Sequence, residues 1–484
     1  MQIYHSQAGG EVTLWWEKSG PEDGEYTVYE DGAPVGKTQK THFTLPVAED
    51  AEIGVKSAGG DEGAIGFVYA PPFERISALD FGAKGDGVTL NTRALQNAID
   101  ALKPGQELYL PAGTYLTGAL DLHGDMALYL EKGAVLQGTA DVEDYTPKIP
   151  SRFEGYEMMC YRSLLNLGRR NHAAGANCKN VLIYGKGTIS GGGQALCLNV
   201  IKTERELMKE YLQSLGDKIK EYENDHTIPA RPRGRLINLS NCENVRITGL
   251  TLQNGASWNV HMLYSKHIVT DHCVFKSEDV WNGDGWDPDS SEDCTLFGCE
   301  FFTGDDSVAI KSGKNPEGNV INRPTRRVRV FDCLSHKGLG IAIGSEMSGG
   351  VEDVKIWDCD LINSLYGVQI KATKKRGGYV RDVSVSDCRL SRFEICAVKY
   401  NDDGEGSPVP PAFENISLNN CYLSGWARNY WEKEDRRIEA VDISGFGPDH
   451  PARGIRIRNC TLGPEASIKL SACEDVTLDV RKAE

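Results

Sequence analysis

The chain has 484 residues, of which 40% are hydrophobic and 25% are charged, a balance typical of folded globular proteins. This composition excludes collagen-like and disordered classes, and no run approaches the ~18 consecutive apolar residues of a membrane helix. The net charge of −16 predicts no nucleic-acid partner and no membrane partner, so an anionic ligand would have to be attracted by a local cluster of cations.

The first residues lack the pattern of a secretory signal, in which a basic start precedes an apolar run and a small-residue cleavage site. The 14 cysteines form no CxxC pair and no clustered Cys/His ligand set, so we expect neither a metal site nor a cofactor. A chain of this size without a signal is typical of a reducing compartment. We therefore expect a cytoplasmic protein with reduced cysteines.

Residues 1–70 are predicted to form a small β-sandwich of the fibronectin type III kind. Short β-branched or aromatic runs occur at 12–16, 26–29 and 53–55, and Asp31-Gly32 marks a turn after the second run. Ala70-Pro71-Pro72 breaks this pattern and is predicted to be a linker. A short helix is then expected, capped by Asn91 or Thr92 and ended by a Lys-Pro-Gly sequence at 103–105.

From about residue 108 the chain repeats a unit of two short alternating runs, separated by a polar pair that precedes a cysteine. Successive cysteines of the repeat differ by 26, 34, 26, 29, 33 and 39 residues, a period typical of a solenoid. The repeat cysteines are Cys273, Cys299, Cys333, Cys359, Cys388, Cys421 and Cys460. Because the runs have strand periodicity, we predict an all-β fold, a right-handed parallel β-helix over 76–484 with these cysteines stacked in its interior.

One segment interrupts the repeat. Apolar residues at helical spacing within 203–224 predict an amphipathic helix inserted between coils, which lies on the flank of the β-helix or covers its cleft. The apolar positions are Leu207, Tyr211, Leu212, Leu215, Ile219 and Tyr222.

Two acidic segments lie one coil apart. Asp284 precedes Asp305 and Asp306 by 21 and 22 residues, so stacking of coils is expected to bring the three carboxylates onto one patch. Burial and like charge would then keep one carboxyl protonated beside ionised ones, which is what hydrolysis of a glycosidic bond requires. Asp287 and Asp289 are expected to bond the local backbone or to support the site, and a calcium site with Asp284 is a minor alternative.

These motifs together resemble glycoside hydrolase family 28, the polygalacturonases and their pectin-degrading relatives. Five segments occur in the family's order: DFGAKGDG at 80–87, NGD at 282–284, GDD at 304–306, GSEMSGG at 344–350 and QIK at 369–371. The N-terminal module is also similar to that of bacterial exo-acting members. The resemblance implies an inverting mechanism in which Asp305 is the general acid, Asp284 and Asp306 hold and activate the water, and Lys371 binds a substrate carboxylate.

Further residues are candidates for substrate binding, because neighbouring coils would bring them to the same groove. They are Trp258 as a sugar platform, His261 as a hydroxyl contact, Asn282, Lys311 as an added positive charge, and Tyr400. The basic turn of Lys374, Lys375 and Arg376 either strengthens the local positive field or is simply solvated.

The sequence departs from the family pattern at two places. Leu339 stands where the family has a histidine between two glycines, so either His336 reaches the site by a local shift or that role is absent. Gln369 stands at the position where the family has an arginine, and glutamine cannot form the bidentate hydrogen bonds that an arginine makes with a carboxylate. Both changes leave the identity of the substrate open.

The leading hypothesis is an inverting, exo-acting glycoside hydrolase, an exo-polygalacturonase or galacturonidase, that cleaves galacturonate-containing pectic oligosaccharides. The exo preference follows from the cytoplasmic expectation, because only short imported oligomers would reach the enzyme. The alternatives are a rhamnogalacturonan-type hydrolase of the same family, a pectate-lyase-like polysaccharide lyase, and a non-catalytic carbohydrate-binding β-helix.

Overall fold

The computed structural model describes residues 1–18, 20, 24–172, 175–222, 224–400, 404–429 and 433–484, without the side chains of residues 221 and 429. It divides into two compact units. The first comprises residues Met1–Arg75 and Pro104–Glu107, and the second comprises Ile76–Lys103 and Leu108–Glu484. Strands Glu74–Ser77 and Gln106–Leu110 each contain residues of both units.

The first unit is a sandwich of two antiparallel sheets that share one core. Alternate residues of its strands point inward, and Val12, Leu14, Val28 and Ile53 are fully buried. One sheet has three strands, Ile3–Ala8, Glu11–Trp16 and His42–Pro46. The other has four, Ala33–Thr38, Tyr26–Glu30, Ala51–Ser57 and Glu62–Phe67.

The second unit is a parallel β-helix with three rows of stacked strands. We call the first row, an eleven-stranded sheet, the site sheet. Its strands are Leu120–Leu122, Leu165–Gly168, Ile237–Ser240, Val260–Leu263, Trp286–Asp289, Val308–Ile310, Ile341–Ile343, Val368–Ala372, Phe393–Ala397, Glu439–Ser444 and Ser467–Ser471. The predicted fold class, an all-β parallel β-helix with a small N-terminal sandwich, is confirmed.

Two further rows complete each coil. The long-strand row contains Met126–Leu130, Cys178–Gly185, Cys242–Thr248, Lys266–Asp271, Glu292–Phe297, Thr325–Phe331, Val351–Trp357, Tyr379–Ser386, Ala412–Asn419, Ala452–Leu462 and Cys473–Lys482. The short-strand row contains Asp86–Leu90, Gly113–Thr117, Ala134–Gly138, Thr188–Ser190, Thr251–Gln253, Val274–Ser277, Glu300–Thr303, Leu334–Lys337, Asp360–Leu361, Arg389–Leu390 and Tyr422–Leu423.

The remaining elements lie outside these rows. Two antiparallel hairpins pair Ile149–Phe153 with Tyr156–Cys160 and Trp426–Asn429 with Glu434–Arg437. The α-helices are Thr92–Ala101, Gly193–Leu207, Lys209–Leu215, Thr227–Ala230 and Glu317–Ile321, and the 3-10 helices are Ala78–Phe81, Val142–Tyr145 and Gly216–Glu221. Within the described residues, no helix is long and apolar enough to cross a membrane.

The repeat cysteines stack inside the β-helix, at the bend between the long-strand and short-strand rows. The backbone N–H of Cys359 donates to Cys388 Sγ at 3.4 Å, and that of Cys388 donates to Cys421 Sγ at 3.5 Å. All seven are buried free thiols. The residue before each has a positive φ between 49° and 62°, which histidine, glycine, aspartate and asparagine tolerate. This left-handed residue turns the chain and points the following cysteine inward.

The helical insertion differs from the prediction. Its first helix begins at Gly193 instead of residue 203. It packs against the core of the β-helix through Leu196 and Val200, whereas Cys197 and Ile201 pack with Ala230 of the helix Thr227–Ala230. The predicted apolar stripe is not a buried face, because Leu207 is 71% and Tyr211 52% exposed, and the helix Lys209–Leu215 has no buried residue. The glycine run at 191–193 conceals the true start of the helix in the sequence.

Candidate active site

A cavity of about 580 Å³ lies against the outer face of the site sheet, in the second unit. The predicted site residues that line it are Trp258, Asn282, Asp284, Asp305, Asp306, Lys311, Gln369, Lys371 and Tyr400. Its described lining contains six cationic and five acidic residues, in a chain whose net charge is −16. The cavity therefore carries the local positive charge that the composition as a whole lacks.

The register of the site sheet brings the three aspartates together. Trp286 pairs with Val308 and Asp289 bridges Lys311, an offset of 22 residues that sets Asp284 beside Asp306 on the next coil. The N–H of Gly285 donates to the carbonyl of Asp306 at 3.0 Å, which continues this pairing beyond the strand. Asp305 follows in the same bend, and its Oδ1 accepts the N–H of Asp306 at 3.0 Å.

Two buried lysines hold two of the three carboxylates. Lys311 Nζ lies 3.4 Å from Asp284 Oδ2, and Lys371 Nζ lies 3.4 Å from Asp306 Oδ2. No ion pair joins Asp305 to a lysine within the described part of the chain. Since an adjacent cation favours the ionised form of a carboxyl, Lys311 opposes the effect of burial on Asp284.

Burial and like charge shift the acids of this cluster. Burial, followed by the charge of Asp306, raises the pKa of Asp305 to about 6. Burial also raises the pKa of Asp284 well above its usual range, with the neighbouring Asp287 adding to the effect and Lys311 opposing it. The cluster therefore retains protons near neutral pH, and Asp305, which is partly exposed to the cavity, holds a proton below about pH 6.

Lys311 occupies the centre of a cluster of acids. Besides Asp284, its Nζ lies 3.3 Å from Glu346 Oε2 and 3.9 Å from Asp287 Oδ2. Burial alone would lower the pKa of Lys311, but these carboxylates outweigh it and raise the pKa well above its usual value. Lys311 lines the cavity, as expected, and three carboxylates of the protein share its charge.

Asp287 and Asp289 have different environments although both are fully buried. Asp289 is paired, with Arg152 Nη1 at 2.7 Å and His261 Nε2 at 3.4 Å. Neither carboxyl oxygen of Asp287 has a hydrogen-bond partner, and burial raises its pKa well above the usual range. Neither residue bonds the local backbone, so of the two expectations only a supporting role for Asp289 agrees with these contacts.

Two candidates are not available to a ligand as expected. His261 is fully buried between Asn238 and Asp289 and does not line the cavity, and burial lowers its pKa to about 4. Trp258 reaches the lining but is only 2% exposed, because Phe153 stacks on it at 4.7 Å with an interplanar angle of 10°. The hairpin carrying Phe153 covers this ring and occupies the place of a sugar.

His336 lies away from the cavity. It belongs to the short-strand row, where its Nε2 is 2.9 Å from Glu300 Oε2 and its ring stacks on Phe302. Leu339 lines the cavity instead, and its N–H donates to the carbonyl of Asp305 at 3.0 Å. Of the two alternatives for His336, a local shift into the site is therefore wrong.

The other predicted residues reach the cavity with some of their polar groups occupied. Gln369 Nε2 donates to Glu394 Oε2 at 2.5 Å, while Gln369 Oε1 has no hydrogen-bond partner. Asn282 Oδ1 accepts from Arg233 Nη2 at 2.6 Å. Of the basic turn at 374–376, Arg376 enters the lining, bonded to the carbonyl of Ser345 and to Asn315.

Sequence reasoning missed one side of the cavity. Tyr222, Thr227 and Arg231 come from the helical insertion, and Glu154 comes from the turn of the hairpin after Phe153. These segments lie outside the repeat, so no periodic signal located them. Lys314 and Glu346 were also missed, although Glu346 lies in the GSEMSGG segment. Within the described residues, no group of three or more His, Cys, Asp or Glu could hold a metal ion.

Comparisons with known proteins agree with this geometry. The profile described as "Glycosyl hydrolases family 28" matches residues 106–421. A probable polygalacturonase of Vitis vinifera is 33% identical over 418 residues, which cover 83% of this chain and 77% of that protein. An exo-poly-alpha-D-galacturonosidase of Dickeya chrysanthemi is 27% identical over 373 residues, covering 71% of this chain and 61% of that protein.

Solved structures share the fold. The family 28 exopolygalacturonase of Yersinia enterocolitica superposes with a TM-score of 0.82 over 99% of both chains, at 21% identity. A hyperthermoactive exopolygalacturonase from Thermotoga maritima gives a TM-score of 0.68 at 26% identity, covering 84% of this chain and 92% of that one. The family match spans more than half of the sequence, so the predicted resemblance is confirmed: this chain belongs to glycosyl hydrolase family 28 and is a glycoside hydrolase.

Proposed function

We propose that the enzyme hydrolyses galacturonate-containing pectic oligosaccharides from a chain end, with inversion at the anomeric carbon. The observation that carries this proposal is the cluster of Asp284, Asp305 and Asp306 in a cavity that also contains six cationic side chains. The acids can protonate the leaving oxygen and activate water, as hydrolysis of a glycosidic bond requires. The cations suit a substrate with one carboxylate on each sugar. The names of the relatives, polygalacturonase and exo-poly-alpha-D-galacturonosidase, support the same substrate class.

In the proposed mechanism Asp305 is the general acid. It donates its proton to the glycosidic oxygen as the bond from that oxygen to the anomeric carbon breaks. Asp284 and Asp306 hold a water molecule on the opposite face of the sugar, and one of them accepts its proton as the water oxygen bonds to the anomeric carbon. The ion pairs of Asp284 with Lys311 and of Asp306 with Lys371 support this division of roles, because each places a cation beside a carboxyl that is to accept a proton from water.

The exo mode is supported by the wall of the cavity. Residues of the helical insertion and the hairpin turn line it beside the site sheet, namely Tyr222, Thr227, Arg231 and Glu154. A wall of this kind limits how much of a polymer can pass the acid cluster, whereas an open groove would accept internal positions of a long chain.

Product analysis tests this proposal. Saturated oligogalacturonides and rhamnogalacturonan fragments of defined length are incubated with the enzyme, and products are followed by chromatography and proton NMR. We expect one product released from a chain end of oligogalacturonides, first seen as the anomer opposite in configuration to the cleaved bond. Internal cleavage would reject the exo mode, retained configuration would reject inversion, and cleavage of rhamnogalacturonan alone would favour the alternative hydrolase. The Asp305→Asn variant is the matched inactive control.

We also propose a cytoplasmic location, supported by fourteen cysteines that are all free thiols. Rapid acid quenching of cells and alkylation under denaturing conditions, followed by mass spectrometry, would find all of them labelled. Disulfides within the ladder of repeat cysteines would contradict the proposal.

A further inference from the structure

One wall of the cavity, which we call the insertion wall, is formed by Glu154, Tyr222, Thr227 and Arg231. The terminal nitrogens of its arginine are available to a ligand. Arg231 follows the short helix Thr227–Ala230, lines the cavity, and has a side chain that is 16% exposed. Its Nε donates to Glu154 Oε2 at 3.0 Å. Within the described part of the chain, its two terminal nitrogens have no hydrogen-bond partner.

Aromatic contacts fix the orientation of this guanidinium group. Its central carbon lies 5.4 Å from the ring centre of Tyr156 and 5.6 Å from that of Tyr222, within the range of cation–π attraction. The hairpin that carries Tyr156 and Glu154 is itself anchored, since the N–H of Lys314 donates to the carbonyl of Gly155 at 3.0 Å. Arg231 is therefore preorganised, and little side-chain entropy remains to be lost on binding.

Three other cations of the cavity are more committed. Lys311 contacts three carboxylates and Lys371 pairs with Asp306. Arg376 uses Nε and Nη1 for bonds to the carbonyl of Ser345 and to Asn315. Arg231 thus offers the planar pair of donors that fits a carboxylate in bidentate fashion.

We propose that Arg231 is a carboxylate-binding residue of the substrate site, and that it binds the carboxylate of one galacturonate unit from the wall formed by the helical insertion and the hairpin turn. Glu154 and the two tyrosines hold the guanidinium group in place for this contact. The proposal deepens the proposed function and rests on it for the identity of the sugar acid.

Binding measurements test the proposal without depending on turnover. Two proteins are compared, the Asp305→Asn variant with Arg231 intact and the same variant carrying R231Q. Titration calorimetry measures the affinity of each for trigalacturonate and for its methyl ester. We expect R231Q to weaken binding of the acid about 10- to 100-fold, and binding of the neutral ester less than about threefold. The matched control is R381Q, which removes an arginine bonded to Glu352 on the long-strand row, and it should change neither affinity by more than about twofold.

Two further variants exclude a structural explanation. R231K keeps the charge but removes the planar pair of guanidinium donors, so its loss of affinity for the acid should be intermediate. E154Q/R231Q also removes the carboxylate that R231Q leaves unpaired. Equal losses for acid and ester, or recovery of affinity in the double variant, would overturn the proposal. Absence of acid binding in the Arg231 protein would overturn it too. If the acid binds through Arg231 while the active enzyme cleaves no oligogalacturonide, the proposed hydrolysis fails and the binding site stands.

Discussion

Replacing Lys311 by methionine should destabilise the acid cluster, because this lysine is the one cation that contacts three of its carboxyls among the described residues. Its Nζ is within 3.3 to 3.9 Å of Asp284, Asp287 and Glu346, and the residue is 5% exposed. Methionine keeps the length and apolar stem of the side chain while it removes the charge. The substitution therefore tests the electrostatic role of Lys311 with little change in packing volume.

The loss of stability follows from the buried charges that remain. Removing one partner of a buried ion pair typically costs about 3–5 kcal/mol. We expect the lower end of this range for the free energy of unfolding near neutral pH, because Asp284 and Asp287 can take up protons when the lysine is gone. Glu346 takes up a proton less easily, because Arg376 and Lys314 remain in the variant and still oppose the effect of burial on its pKa.

The pH dependence of this loss has a definite sign. A carboxyl with a lowered pKa contributes stability above the pKa of its unfolded form, about 4.3 for glutamate, and loses it as the pH falls through its folded pKa. The raised pKa of Lys311 contributes stability that is fully present below about pH 10. The difference between the wild type and K311M should therefore be largest near neutral pH and should shrink below about pH 4.

Denaturant unfolding at several pH values, together with kcat/KM, provides the assay. Loss of Lys311 should raise the pKa of Asp284 further and lower kcat/KM about 10²-fold, because a smaller fraction of the enzyme then carries the ionised Asp284 that activates water. The matched control is K266M, which removes an exposed lysine paired with Glu243 and should cost less than about 1 kcal/mol. A stability loss that is the same at acid and neutral pH, or an unchanged rate, would refute the reasoning.

Two other substitutions follow from the same cluster. Asp287→Asn should leave the free energy of unfolding unchanged or raise it near neutral pH, because the raised pKa of Asp287 penalises folding above the usual aspartate pKa; a fall of more than about 1 kcal/mol would contradict this. With a pKa of about 6, Asp305 should be increasingly deprotonated above that pH, so kcat/KM of the wild type should decline there. Asp305→Asn should remove this decline and lower the rate about 10²- to 10⁴-fold with unchanged circular dichroism, and a wild-type rate that stays flat to about pH 8 would argue against Asp305 as the acid.

The β-helix was predictable because its signal is local and repeated. Each coil needs a left-handed residue at the bend and a small apolar residue after it, and the aspartate–cysteine and asparagine–cysteine pairs meet both needs within two positions. The 22-residue offset between Asp284 and Asp306 could likewise be read from the sequence, since one coil separates them. A repeat converts sequence spacing into spatial position.

The insertion wall was not predictable, because its residues lie outside the repeat. Arg231 and Glu154 meet across 77 residues of sequence, and neither belongs to a repeat that relates spacing to distance. Trp258 was predicted to be an exposed sugar platform because the coil places it on the outer face. Its burial depends on Phe153, which belongs to a hairpin distant in sequence. Lys311 was located correctly, but its contacts with Asp284, Asp287 and Glu346 were not foreseen, since Glu346 follows a strand of the next coil.

The charges of the cavity lead to one more expectation, about the enzyme–substrate complex. The substrate carboxylate enters a site where Lys311 and Lys371 are already paired with aspartates, so it adds net negative charge near Asp305. Like charge favours the protonated form of a carboxyl, and the pKa of Asp305 should therefore be higher in the complex than in the free enzyme. Because kcat reports the complex and kcat/KM the free enzyme, the decline of kcat should begin at higher pH than that of kcat/KM. A methyl-esterified substrate should abolish the difference. If the two profiles coincide for the acid, no substrate carboxylate lies close enough to Asp305 to shift it.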